Sequence, residues 1–168
     1  MRFIAAFFIL LLLSAPPCAG AKMLAQTKTQ KAEDFSLEGT DGKTYTLSSY
    51  RGKVVLINFW ATTCKPCIEE LPSLAALSER MKGRDFVVLA VSQDKEKALK
   101  KFLAKNPLPF PVLRDTHKEV SFDLYAVFAL PTTVIVDKNG YVAERIYGPR
   151  DWGSEEEIEK IEELLKRY

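Results

Sequence analysis

The chain has 168 residues, 47% of them hydrophobic, which suits one domain with a real core. Lys and Arg total 24 against 22 Asp and Glu, a net charge of +2, and no basic cluster is interleaved with aromatics. That balance argues against a nucleic-acid binder working through counterion release, and a zinc site built on Cys64 and Cys67 would have only Cys18, in the leader, and His117 to complete it, which makes it the weaker reading.

Met1-Arg2 is a short positive start, followed by an apolar run from Phe3 to Leu13 and then Ser14-Ala15-Pro16-Pro17-Cys18-Ala19-Gly20-Ala21. A charged start, a short apolar core and an Ala-x-Ala end form a signal-peptide pattern. The run is shorter than the roughly 20 residues that span a bilayer. Residues 1–21 are therefore expected to be a signal peptide cut after Ala21, with an uncleaved anchor or lipidation at Cys18 as the alternatives. Such a leader places the protein outside the cytoplasm. Residues 22–31 are polar and featureless, and read as a tether.

Phe35-Ser36-Leu37 and Thr44-Tyr45-Thr46-Leu47 alternate at period two around Thr40-Asp41-Gly42-Lys43, a hairpin signal. After a loop, Val54-Val55-Leu56-Ile57-Asn58-Phe59 reads as an apolar strand, and it runs through Trp60 to Cys64-Lys65-Pro66-Cys67. A helical pattern follows, with Leu71, Leu74, Ala75, Ser78 and Met81 on one face. The cysteines thus sit where a strand hands over to a helix. Unpaired N–H groups and the dipole of a first helical turn stabilise a thiolate there, and a thiolate is the nucleophile of disulfide exchange. Lys65 adds positive charge, and Pro66 suits the first turn. A bridge between cysteines so close gains little loop entropy, so a structural disulfide is the weaker reading. No third cysteine outside the leader competes for either thiol. Glu70 follows Cys67 by three residues, on the same helix face. By position it is either a solvent-facing helix Glu, which suits the first turns by dipole, or, if partly desolvated, a base for the Cys67 proton, with Glu69 as its rival.

Phe86 to Val91 is a second apolar strand, which completes a parallel βαβ unit. Residues 95–105 read as a helix with Ala98, Leu99, Phe102 and Leu103 inward and a basic, solvated outer face. Three prolines between Asn106 and Pro111 exclude helix and inner strand. Val112-Leu113 is a short strand, and a helix is expected around Lys118 to Ala126. His117, in this polar segment, reads as a loop residue. Leu130-Pro131 leads into the strand Thr133 to Val136. Asp137-Lys138-Asn139-Gly140 is a hairpin turn, and Tyr141 to Tyr147 returns antiparallel. Ser154-x-x-Glu157 is a capping box opening the last helix. Its inward stripe is Ile158, Ile161, Leu165 and Tyr168, and Glu156–Lys160, Glu162–Lys166 and Glu163–Arg167 pair outside.

Phe59-Trp60-Ala61-x-x-Cys64-x-Pro66-Cys67 resembles the thioredoxin active-site motif. Asn58 before it, Ile68-Glu69-Glu70-Leu71-Pro72 after it, and Leu130-Pro131-Thr132-Thr133 resemble the TlpA/ResA/CcmG-type branch of extracytoplasmic thiol–disulfide oxidoreductases. The resemblance implies an α/β thioredoxin fold over residues 32–168: a central mixed sheet flanked by helices, with an N-terminal β-hairpin and a central αβ insertion over 93–125. It implies that Cys64 attacks, Cys67 resolves and Glu70 serves as base, Asn58 standing where thioredoxin has a buried Asp. It further implies a cis Pro131 facing the cysteines and a Leu130 backbone that pairs with extended substrate. Trp60, Lys65 and Pro66 would flank the substrate, Trp60 as a partly exposed wall. The activity implied is reduction of protein disulfides, with apocytochrome c as an example substrate. The expected electron donor is a membrane thiol reductase of the DsbD/CcdA type. A monomer without metal or cofactor is expected. A disulfide donor or isomerase, a copper-binding thiol carrier and a peroxidase are the competing readings.

Overall fold

The structure, a computed structural model, describes residues 30–167. The expected signal peptide, most of the tether and Tyr168 lie outside the described residues. A five-stranded sheet in the order β5-β4-β3-β6-β7 forms the centre. Its strands are β3 (Val54–Trp60), β4 (Phe86–Ser92), β5 (Val112–Arg114), β6 (Thr132–Val136) and β7 (Val142–Tyr147). β3, β4 and β5 run parallel, while β6 and β7 are antiparallel to their neighbours. A separate hairpin of β1 (Ser36–Glu38) and β2 (Thr44–Thr46) precedes them.

β3 is buried at every position, which is why it reads as an apolar run interrupted only by Asn58. Val54, Leu56 and Trp60 point to one core, against α1 (Lys65–Arg80) and α3 (Glu155–Lys166). Val55, Ile57 and Phe59 point to the other core, with Phe35, Leu47, Tyr125 and Val127. All three helices pack on the first face, α2 (Glu96–Leu103) through Leu99. The hairpin and the segment around Tyr125 close the second face, where the Tyr125 ring packs on Phe59 and Phe35.

Several elements differ in detail from the sequence reading. Ala98, expected inward on α2, is exposed. Residues Glu119–Leu124 form one π-helical turn, not an ordinary helix. Asp115 accepts from the Val120 and Ser121 N–H groups and so holds its start. Positive φ at Lys118 (63°) and Ala126 (49°) brackets it, an unusual backbone for residues with a Cβ. At α3 the Ser154 side chain accepts from the Glu157 N–H, but the Ser154 N–H bonds to the Asp151 carbonyl, so only half the capping box forms. Glu157 instead turns inward and pairs with Lys160 at 3.4 Å. Glu156–Lys160 and Glu162–Lys166 form as expected, whereas Glu163 and Arg167 make no ion pair among the described residues.

The last two residues of the expected tether are part of the fold. Lys31 bridges to Tyr141, the Val142 N–H donates to the Gln30 carbonyl, and the Ala32 N–H donates to the Gly140 carbonyl. The Asp137–Gly140 turn beside them needs Gly140 at φ +84°, and the Arg51 guanidinium occupies the space a Cβ would take.

Candidate active site

The register of the sheet assembles the site. Trp60 pairs with Ser92, and Phe59 with Thr132, so the β3 end, the β4 end and the start of β6 meet at one pole. Cys64 is the N-cap of α1, and its sulfur accepts from the Cys67 N–H at 3.3 Å. Cys64 and Cys67 are joined as a disulfide, so the sulfurs stand for the oxidised form of the dithiol. Once reduced, the same N–H faces the Cys64 sulfur and favours its thiolate. Cys64 is half-buried and Cys67 fully buried, which makes Cys64 the sulfur a large substrate can reach.

A groove of about 620 Å³ opens beside Cys64, lined by Lys65, Pro66, Gln93, Phe128 and Leu130 among others. The Leu130–Pro131 peptide is cis, and Pro131 itself is buried behind Leu130. Lys65 is exposed and pairs with Glu69 at 3.6 Å, so Glu69 is turned to solvent. Trp60 corrects the sequence reading. It is 0% exposed, packed at a tilt against Phe102 with ring centroids 5.4 Å apart, and offers no wall to a substrate. Its place on the β3 face with Leu56 drives it into the core. The exposed aromatic surface comes instead from Phe128, 79% exposed, in edge-to-face contact with Phe122. The sequence reading did not single out either ring.

Glu70 lies one turn beyond Cys67 on the inner face of α1 and is 3% exposed. Its Oε1 accepts from Asn58 Nδ2 at 2.8 Å and its Oε2 from the Arg150 N–H at 3.1 Å. Burial pushes its carboxyl above the ordinary range, while the Asn58 and Arg150 bonds pull it back. The Trp152 indole N–H pulls the same way from beyond hydrogen-bond length. A second cavity, of about 320 Å³, reaches Glu70 past Ser73 and Arg150 and opens it to solvent protons.

Sequence reading also passed over Asp94. Its carboxylate accepts from the Thr62 N–H at 2.6 Å, the Thr62 hydroxyl at 2.8 Å and the Ser92 hydroxyl at 2.9 Å. Its backbone carbonyl accepts from Thr116. Asp94 therefore clamps the turn that delivers Cys64. Asp94→Ala is expected to cost about 1–3 kcal/mol, the range for stranding part-buried partners of a charged group. Urea unfolding of the oxidised protein checks this, and an unchanged midpoint would remove the clamp from the account.

A family model described as AhpC/TSA matches residues 29–145. The thiol–disulfide oxidoreductase ResA of Geobacillus kaustophilus is 39% identical over 136 residues, covering 80% of this chain and 76% of that one. Among solved structures, a thiol:disulfide interchange protein DsbE from Chlorobium tepidum superposes with a TM-score of 0.75 at 35% identity, covering 82% of this chain and 96% of its own. The exposed lipoprotein thioredoxin of Streptococcus pneumoniae gives 0.67 at 32% identity, covering 81% and 100%.

Proposed function

Given that the chain belongs to the AhpC/TSA family and is a thiol–disulfide oxidoreductase, we propose that it works as a reductase of protein disulfides outside the cytoplasm. One observation carries this reading: a reachable Cys64 beside an open groove is paired with a buried Cys67 that has a buried carboxylate one turn away. In the forward direction the Cys64 thiolate attacks a substrate disulfide. One S–S bond breaks, another forms, and the first substrate sulfur leaves as a thiolate. Glu70 takes the proton from Cys67, whose thiolate attacks Cys64 and releases the second substrate sulfur. Two electrons have then passed from the dithiol to the substrate.

The groove suits a polypeptide segment. Leu130 precedes the strand start and lines the groove with Cys64, so its backbone is placed to pair with an extended chain. Phe122 and Phe128 offer apolar area for side chains flanking the target cysteine. Lys65 and Pro66 form the rim on the α1 side, and Phe128, Ala129 and Leu130 line the groove with them.

The sequence pattern of residues 1–21 supports an extracytoplasmic location. So does the pneumococcal neighbour, described as an exposed lipoprotein. Among the described residues no helix is long and apolar enough to cross a membrane. In that setting the oxidised dithiol is recharged by a membrane thiol reductase of the DsbD/CcdA type. The haem-binding cysteines of apocytochrome c are the substrate class this reading favours.

Equilibrating the Cys64/Cys67 pair against defined thiol buffers tests the direction of flow. A potential near or below about −270 mV, the thioredoxin value, is expected. A potential near about −120 mV would overturn the reductase reading and make the protein a disulfide donor.

A further inference from the structure

Asn58 is fully buried on the face of β3 that also carries Leu56 and Trp60, the face packed on Cys67 and Leu71. Its Nδ2 donates to Glu70 Oε1 and, at 3.0 Å, to Thr133 Oγ1. Its Oδ1 is buried and accepts no hydrogen bond. A buried acceptor without a donor in a native core calls for a physical explanation. The amide orientation is set by chemistry. An ionised Glu70 only accepts, so the NH2 must face it and Oδ1 must face away. In the disulfide form neither sulfur carries a hydrogen, so Cys67, in the core on the same side of β3, offers no S–H. Reduction creates one on Cys67.

We infer that Asn58 is a positioning residue for the resolving thiol: in the reduced protein its Oδ1 accepts the Cys67 S–H, and its amide turns over when that proton moves to Glu70. Before transfer, Nδ2 holds the Glu70 carboxylate and Oδ1 holds the thiol. After transfer, Glu70 carries an O–H. An amide rotated by half a turn gives Oδ1 to that O–H and to the Thr133 hydroxyl, and gives Nδ2 to the Cys67 thiolate. Both protonation states are served by one side chain in one volume. The proton leaves Cys67 Sγ and arrives on Glu70. The thiolate pair then forms the Cys67–Cys64 bond as the Cys64–substrate bond breaks, and the substrate sulfur departs as a thiolate with the electron pair of the broken bond. An aspartate at this position could not donate, and an aliphatic residue could do neither. The ionisable groups around this pair are Cys64, beside Cys67, and Glu69, Arg150 and Asp151 at the rim of the Glu70 cavity.

The inference rests on Glu70 being the base, and the experiment separates the two. The full chain carries Cys18→Ser so that the active-site thiols are the only cysteine thiols. The reduced protein is mixed with a small aromatic disulfide whose thiolate is coloured. Attack by Cys64 releases the first coloured equivalent and resolution by Cys67 the second. Asn58→Ala is expected to slow the second release relative to the first by about tenfold or more and to move its pH midpoint upward. Infrared spectra of the reduced Cys64→Ser chain read the Cys67 S–H stretch directly. Adding Asn58→Ala should shift that band to higher frequency, which a merely structural role would not do. An unmoved band, an unchanged second release, or equal slowing of both releases would overturn the inference. If Glu70→Gln keeps the pH dependence of the second release, the base assignment falls, whatever Asn58→Ala does. If Glu70→Gln loses it while Asn58→Ala matches the parent chain, this inference alone falls.

Discussion

A chain carrying Cys67→Ser is expected to stop after one chemical step, covalently joined to its substrate through Cys64. Cys64 keeps its place as the N-cap of α1 and keeps the residue-67 N–H beside its sulfur. Attack therefore proceeds. The buried hydroxyl left at position 67 cannot displace the substrate, because an alcohol is a far weaker nucleophile than a thiolate at neutral pH. Turnover of a test protein disulfide should fall on the order of a thousandfold or more, while a mixed disulfide accumulates. Cys64→Ser should lose turnover to the same extent but form no adduct, since Cys67 is fully buried. Intact mass under non-reducing conditions tells the two apart. An adduct on Cys67 in the Cys64→Ser chain would reverse the assigned roles.

Glu70→Gln is expected to lower the resolving step by about 10²–10⁴-fold, the usual contribution of a positioned general base. Its pH signature is equally specific. Burial holds the Glu70 carboxyl above the ordinary carboxylate range, so its basic form appears only at a correspondingly higher pH. Resolution by the parent chain should rise through that pH, and the Gln variant should lack the rise. Stability carries the opposite sign. The folded state keeps the Glu70 proton to higher pH than the unfolded chain does. Glu70 therefore lowers stability as pH climbs from the unfolded carboxylate value through the folded one. Urea unfolding of the oxidised protein should show this fall, and Glu70→Gln should flatten it. A parallel fall in the variant would mean that Glu70 is ordinary in the folded state.

Local chemistry made much of this architecture readable in advance. The apolar run from Val54 to Trp60, interrupted only by Asn58, announced a strand buried on both faces. The capping serine, the Asn-Gly turn and the apolar periods placed helices and hairpins within a residue or two. Cys64, Cys67 and Glu70 were legible because their relation is one of helical spacing along a single element.

Relations across elements were not legible. Asp94 reaches Thr62 because β3 and β4 are parallel neighbours with Trp60 opposite Ser92, and nothing local to either residue says so. Trp60 lies in an apolar run too uniform to reveal which face each ring takes. Phe122 and Phe128 meet because a π-helical turn with left-handed residues at both ends sets their directions, and an ordinary helical period gives the wrong ones. The orphaned Oδ1 of Asn58 depends on three elements closing around one amide.

The stitching of Gln30, Lys31 and Ala32 to the Gly140–Val142 end of β7 fixes where the preceding chain departs. That end is the Val136 end of β6, and Val136 pairs with Val55 at the start of β3. The cysteines lie past Trp60, at the other end of the same strand. Seven residues at about 3.3 Å each separate the two poles by roughly 20 Å. Residue 30 therefore joins the fold at the pole opposite Cys64. A partner that reaches Cys64 thus meets the pole opposite the one where residue 30 joins the fold.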